Sequence, residues 1–156
     1  MQGFNIAEMG HIVNILPPID ITGGVDADVF SMENYGHATI IIQIGVSSAA
    51  FTKIIVEECT AIDGTGATGI AHAIYKEETA LGDTLGARVA ALAAGTTPSA
   101  NDTIFYVIEI DARELSADSP FIQLSLTNGV NSVIASAVAI LSGSRYGGDQ
   151  SATAIV

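Results

Sequence analysis

One glycine-rich stretch, residues 64–69, has the spacing of a nucleotide-binding motif. It reads Gly-Thr-Gly-Ala-Thr-Gly, and Asp83 follows at about the distance at which a dinucleotide fingerprint places its ribose-binding acid. That fingerprint needs an apolar strand before the glycines and a helix after them, so that the pyrophosphate lies at the helix N-terminus. Here polar residues 57–60 precede the glycines, and residues 70–77 alternate in polarity instead of forming a helical face. We therefore predict a loop between strands and no cofactor.

The histidines and carboxylates form no recognisable catalytic or metal-binding motif. His11, His37 and His72 are scattered and lack ligand spacing such as HxxxH. Pairing of a histidine with Ser and Asp stays open, but no GxSxG motif is present. The acidic groups at 26–28 and 77–78 could contribute to a Ca²⁺ site, although the EF-hand pattern is absent and solvated carboxylates are favoured. We predict no catalytic residues and no bound metal.

The single cysteine, Cys59, cannot form a disulfide within the chain, and a thiolate metal site needs several such residues. Glu57 and Glu58 beside it predict a raised thiol pKa, which argues against a nucleophilic role. The N-terminal residues 1–5 lack the basic region and apolar core of a secretory signal. We therefore expect the chain to be made in a cytoplasm, without disulfide oxidation.

Residues 35–59 are the stretch from which the rest of the fold is inferred. Along residues 37–44, apolar side chains occupy every second position, as in a half-buried strand. The apolar face holds Ala38, Ile40, Ile42 and Ile44, and the other face holds His37, Thr39, Ile41 and Gln43. Residues 45–50 can turn and residues 51–59 resume in β-favouring types, so we predict a hairpin. A lone hairpin is unstable in water, so other strands must cover its apolar face.

Further strands are predicted towards the C-terminus. Segments 103–110 and 121–127 alternate clearly, with Ile104, Tyr106, Ile108, Ile110, Ile122, Leu124 and Leu126 facing inward. Residues 133–141 are apolar or small on both faces, which is typical of a strand buried on both sides. Residues 85–94 fit either a helical face that ends at Gly95 or a closely packed strand. The surrounding β pattern favours the strand.

The regular spacing of turns, of which the Asn-Gly pair at 128–129 is the strongest signal, predicts an all-β protein. Roughly eight to ten short strands indicate an antiparallel, jelly-roll-like β-sandwich, which we assign to residues 19–143. Residues 1–18 are predicted to be an N-terminal extended arm, because the prolines at 17–18 exclude a central strand. An edge strand folded back on its own sheet is an equal alternative there. Residues 144–156 are predicted to be a C-terminal tail.

Composition limits the classes of function. Hydrophobic residues make up 49% of the 156 residues and charged residues 14%, yet no apolar run is long enough to cross a membrane. A chain so apolar is expected to cover part of its surface by subunit contacts. The net charge of −12 argues against binding to nucleic-acid phosphates. It fits solubility through repulsion, with attraction to a basic partner as the alternative.

Several segments resemble small virion proteins of tailed bacteriophages. These are Phe4-Asn5-Ile6-Ala7-Glu8, Ile15-Leu16-Pro17-Pro18, His37-Ala38-Thr39-Ile40-Ile41-Ile42, Tyr106-Val107-Ile108-Glu109-Ile110-Asp111 and Ala137-Val138-Ala139-Ile140-Leu141-Ser142-Gly143 with Arg145-Tyr146. Many such proteins are head decoration, or cement, proteins. Several are β-sandwiches or jelly rolls that oligomerise on a shell of the major capsid protein, and the family has no catalytic residues to carry over.

The resemblance implies a non-enzymatic protein of the outer capsid surface. Its expected partners are the major capsid protein and further copies of itself, with no nucleic acid, membrane or small-molecule substrate. A tail or baseplate component, a carbohydrate-binding β-sandwich module and a small-substrate enzyme are the alternatives. The residues expected to contact a partner are His11, Ile12, Ile15, Leu16, Arg145 and Tyr146. The first four belong to a segment too apolar to stay free in water, and Arg and Tyr are enriched at interfaces.

Overall fold

The computed structural model describes residues 3–79 and 82–145. These residues form one short helix, α1 (Ile6–Met9), one turn of 3-10 helix (Ala112–Glu114) and eleven strands. The strands are β1 (His11–Asp20), β2 (Val25–Asp26), β3 (Phe30–Ser31), β4 (Tyr35–Ser47), β5 (Lys53–Cys59), β6 (Thr68–Gly69), β7 (His72–Glu77), β8 (Val89–Ala91), β9 (Ile104–Asp111), β10 (Phe121–Thr127) and β11 (Val133–Ser144). The all-β prediction is confirmed. Over the described ranges, no helix is long and apolar enough to cross a membrane.

The strands build an antiparallel sandwich of two sheets. The large sheet has the order β1-β11-β4-β9-β7-β8, and the small sheet has the order β2-β10-β5-β6, with β3 also paired to β10. One hydrophobic core contains residues from both sheets, as expected where the apolar faces of two sheets pack together. The predicted β-sandwich is confirmed, while the jelly-roll connectivity stays a prediction.

The predicted inward residues form this core. On the large sheet the buried set includes Ala38, Ile40, Ile42, Ile44, Ile104, Tyr106, Ile108 and Ile110, and on the small sheet it includes Ile122, Leu124 and Leu126. Period-two alternation places these side chains on one face of each strand. The inward and outward faces that the sequence predicted for these strands are therefore confirmed.

The predicted hairpin across residues 35–59 is wrong. β4 lies in the large sheet between β11 and β9, whereas β5 lies in the small sheet between β10 and β6. Residues 48–52 cross from one sheet to the other, and Phe51 within them is buried in the core. Alternation shows that a strand has an apolar face. Two such strands can bury these faces either as neighbours in one sheet or in two sheets that pack against each other across a core.

The segment predicted as an N-terminal arm contains an edge strand. Residues 11–18 fold back on the protein's own sheet, which is the alternative considered for this segment. β1 pairs with β11 over His11 to Asp20, past the expected boundary at residue 18. The register shifts between Leu16 and Ile19, where Pro17 and Pro18 cannot donate ladder hydrogen bonds. The predicted tail at 144–156 lies largely outside the described residues.

Two further predictions concern strands at other positions. In the ambiguous segment 85–94, residues 89–91 form β8, so the strand is confirmed there and the helix is wrong. The expectation that residues 133–141 are buried on both faces holds for the outward residue Ile140 but is wrong for the rest of the outward side of β11. Its inward residues are buried, but Ile134 is exposed and Val138 is half-buried.

Candidate partner interface

The side of the large sheet that points away from the small sheet is here called the outer face. Because side chains alternate along each strand, the residues between the buried core positions all point to this side. They are Ile12 and Asn14 of β1, Ile134, Ser136, Val138 and Ile140 of β11, His37, Thr39, Ile41 and Gln43 of β4, Phe105, Val107, Glu109 and Asp111 of β9, and Ala73, Tyr75 and Glu77 of β7. Most of these side chains are apolar or uncharged.

An apolar row crosses the middle of the outer face. The pairing registers align Val138, Ile41, Val107 and Tyr75 on four adjacent strands. All four are half-buried, which is the burial that neighbouring strands alone provide. Contiguous exposed apolar patches are uncommon on monomers and mark sites of interaction.

Two depressions lie at opposite ends of the outer face. At one end, α1 and the residues before it flank a groove of about 520 Å³ that reaches Thr39, Ile41 and Ile140. Phe4 and Met9 stand at this groove and are 77% and 58% exposed. At the other end, Pro18, Gly45, Phe105 and Ile134 line a depression of about 370 Å³. Gly45 has no side chain, which helps to leave this space open.

A group of polar side chains, here called the His37 cluster, lies on the outer face at the end that carries α1. The imidazole Nδ1 of His37 is 2.9 Å from Asp111 Oδ1, and its Nε2 is 2.6 Å from Glu109 Oε2. The Thr39 hydroxyl donates to the same Glu109 oxygen at 2.6 Å, and Arg113 Nη2 donates to Asp111 Oδ2 at 2.9 Å. The cluster joins β4 to β9 through side chains, in addition to their ladder hydrogen bonds.

The carboxylates favour a charged imidazole in this cluster. Burial opposes the charge on His37, but the hydrogen bonds and negative charges of Asp111 and Glu109 outweigh it and raise the pKa of His37. The hydrogen bond from His37 is in turn the main cause that lowers the pKa of Asp111. When both ring nitrogens donate, neither is left to accept a proton from a substrate. The arrangement suits an ion pair that holds two strands together.

Sequence reasoning did not bring these residues together. The alternation places His37, Glu109 and Asp111 on outward positions, so each residue's face was predictable. What the sequence lacked was the adjacency of β4 and β9, which are separated by more than fifty residues and pair His37 with Asp111.

The residues predicted to contact a partner have different positions. Ile15 and Leu16 are buried in the core of the protein's own sandwich, so their side chains are not available to a partner. Ile12 is 49% exposed on the outer face, and the ring of His11 stacks on that of Tyr35 with centroids 5.9 Å apart. Arg145 is exposed and its backbone N–H donates to Asn34. Tyr146 lies outside the described residues.

The structure also shows the surroundings of the residues that the sequence analysis considered for cofactor binding, nucleophilic catalysis and metal binding. The 64–69 motif begins in the loop after β5, and its last two residues form β6, where the fingerprint needs a helix. Burial first, and then the charges of Glu57 and Glu58, raise the pKa of Cys59 to about 11. Among the described residues, no three His, Cys, Asp or Glu side chains converge on a position that could hold a metal ion.

The two acidic groups considered for Ca²⁺ lie in different sheets. Asp26, on β2 of the small sheet, accepts a hydrogen bond from Ser125. Glu77, on β7 of the large sheet, accepts backbone N–H groups of Thr79 and Thr84. Each carboxylate therefore has a local role in holding a strand end or a loop.

Comparison with known proteins identifies no relative: no protein-family model, curated protein sequence or solved structure matches the chain.

Proposed function

We propose that this protein is a non-enzymatic structural component of a bacteriophage virion, which decorates and stabilises the capsid by binding the shell of the major capsid protein. The outer face is the observation that carries the proposal. It presents an apolar row across four strands of a chain with a net charge of −12, so association through it removes apolar area from water.

The outer face supports a binding role better than a catalytic one. Its central positions carry Val, Ile and Tyr side chains, and its charged groups lie towards the two ends. The His37 cluster at one end is satisfied internally, and Glu77 at the other accepts the backbone N–H groups of Thr79 and Thr84. Interfaces typically combine such an apolar centre with a polar rim. A rigid sheet also presents this surface without ordering a loop, which reduces the entropy lost on binding.

The edge strand β1 supplies a second surface for contact with the shell. In the described structure its only ladder partner is β11. Away from β11, the carbonyl of Ile15 accepts the backbone N–H of Asp28, so the open part of this edge is residues 11–14. Such an edge can accept a strand from a neighbouring protein. Pro17 and Pro18 limit this addition to the first part of β1, next to the exposed side chain of Ile12.

The proposal is tested by cosedimentation of the purified protein with expanded shells of the cognate major capsid protein. We expect saturable binding and an increase in the temperature at which the shells break. Val138→Glu, in the centre of the outer face, is expected to reduce binding strongly. The matched control is Val130→Glu, because Val130 is 92% exposed on the loop that joins β10 to β11 and lies outside the outer face.

Two results would overturn the proposal. One is the absence of binding to shells by a folded wild-type protein. The other is equal binding by the wild type and by a folded Val138→Glu variant. Binding to purified tails in place of shells would support the alternative of a tail or baseplate component, which would use the same face.

A further inference from the structure

We propose that the outer face is covered by the outer face of a second copy of this chain, in a two-fold dimer whose axis runs perpendicular to β4 within the plane of the face. The inference rests on the proposed structural role: the second copy covers in solution the same surface that the shell covers after assembly. In this arrangement, α1 of each copy lies over the depression at Gly45 of the other copy.

Shape is the first argument. The outer face carries the exposed apolar side chains of Phe4 and Met9, beside their groove, at one end. At the other end is a depression lined by Pro18, Phe105 and Ile134 together with the polar Gln43, Thr103 and Ser136. A two-fold interface brings the same patch of both copies together, so each protrusion needs a complementary depression on the same patch. The axis perpendicular to β4 exchanges the two ends and matches both protrusions with both depressions.

Charge selects between the two possible directions of the axis. An axis parallel to β4 would place the Glu109 and Asp111 carboxylates of one copy opposite those of the other. An axis perpendicular to β4 separates the two His37 clusters to opposite ends of the interface. Thr39 and Gly45 are six residues apart on β4, which corresponds to about 20 Å. That separation exceeds the screening length of about 8 Å at physiological salt.

Area is the third argument. Five strands spaced about 4.8 Å apart, with roughly seven residues per strand at about 3.4 Å each, give a face on the order of 500 Å². Two copies would then bury on the order of 1,000 Å² in total, before Phe4 and Met9 are counted, which is near the lower limit for a specific interface. A reversible dimer is therefore expected, one whose dissociation frees the outer face for the shell.

The oligomeric mass of the full chain is measured by sedimentation velocity from about 1 to about 100 µM, the range that suits an interface of this size. We expect a shift from the chain mass of 16.0 kDa to twice that value. Higher salt should favour the dimer, because it screens repulsion between two copies that each carry −12. A monomer at every concentration and salt level would overturn the proposal.

Variants test the surface and the direction of the axis. Val138→Glu and Phe4→Ser should weaken dimerisation about tenfold or more, as for central anchors of an interface, whereas Val130→Glu should not. Phe4 is so exposed that its substitution leaves the core intact, which covers the case in which Val138→Glu fails to fold. If folded Phe4→Ser and Val138→Glu dimerise as the wild type does, the assigned surface is wrong.

A short bis-maleimide linker tests the direction of the axis. A mixture of Met9→Cys and Ile134→Cys chains should give a cross-linked heterodimer, and Met9→Cys alone should give little cross-linked product. Efficient Met9–Met9 cross-linking would contradict the proposed axis. Failure of this inference is distinct from failure of the proposed function: a monomer that binds shells removes only the dimer, and a dimer that ignores shells removes only the capsid role.

Discussion

The imidazole of His37 lies between two carboxylates, with its Nε2 2.6 Å from Oε2 of Glu109 and its Nδ1 2.9 Å from Oδ1 of Asp111. His37 belongs to β4 and both acids belong to β9, so this ion pair links two central strands of the large sheet. It also neutralises part of the negative charge at one end of the outer face.

Substitution of His37 is expected to change how stability depends on pH. The folded-state pKa of His37 is raised, so its stabilising effect is fully present below the unfolded-state value of about 6.5 and is lost as pH rises through the folded-state pKa. His37→Gln should lower the free energy of unfolding by up to about 1 kcal/mol at pH 6, as for a partly exposed ion pair. The difference should shrink towards pH 9, as measured by urea unfolding. A difference that grows with pH would contradict this account.

His72 is expected to have the opposite effect on stability, making the protein less stable as pH falls. It is buried, its Nδ1 bonds to the carbonyl oxygen of Ile70, and its Nε2 is buried without a hydrogen-bond partner among the described residues. Burial lowers the pKa of His72, although the carbonyl of Ile70 and the charge of Glu114 favour protonation. Below about pH 6.5 the unfolded chain therefore binds a proton more readily than the folded protein does, and stability falls as pH falls.

The measurement for His72 is the free energy of unfolding at pH 7.5 and pH 5, compared with that of His72→Phe. The wild type should lose more stability between these two values than the variant, because phenylalanine does not titrate. His37 is present in both proteins, so its contribution cancels in the comparison. An equal loss in both proteins would show that His72 is not the group responsible.

The assignment of inward-facing residues predicts that truncating a core side chain in either sheet strongly lowers the free energy of unfolding. Ile42 of the large sheet and Leu124 of the small sheet are fully buried. Ile42→Ala and Leu124→Ala should each lower the free energy of unfolding by roughly 2–5 kcal/mol, because each leaves a cavity. Val130→Ala, at a 92% exposed position, should stay within about 0.5 kcal/mol of the wild type. Unchanged unfolding midpoints for both core variants would refute the assigned packing.

Asn128 is expected to hold the connection between β10 and β11. Its Nδ2 donates to the carbonyl oxygens of Ile21 and Asn131, at 3.0 and 2.8 Å, and its Oδ1 accepts the backbone N–H of Gly129 at 2.9 Å. Asn128→Ala should cost about 1–3 kcal/mol, since buried partners lose their hydrogen bonds. Asn128→Asp should cost at least as much at pH 7, because a carboxylate would face two carbonyl oxygens. Thermal unfolding of both variants at pH 7 checks that Asn128→Asp is destabilised at least as much as Asn128→Ala.

The sequence predicted the strands well because burial on one side imposes a period of two. For β4, β9 and β10, every residue that this periodicity predicted to face inward is buried in the structure. The Asn-Gly pair at 128–129 was also identified as a break between strands. Periodicity is a local property, and so it can be observed without knowing which strands are neighbours.

Neighbour relationships were not predictable in the same way. The hairpin expected between β4 and β5 is instead a crossover between sheets, and an Asn-Gly break likewise joins β10 and β11, which lie in different sheets. The His37 cluster also depends on a long-range pairing. The groove beside α1 depends on where a four-residue helix lies, and a helix that short carries no clear periodicity.

Electron cryo-microscopy of capsid shells incubated with the full chain tests the central claim most directly. The account predicts additional density on the outer surface of the shell, into which the two-sheet sandwich fits with its outer face covered by protein. Saturated shells that show no additional density, or sandwich density in which the outer face is open to solvent, would contradict it.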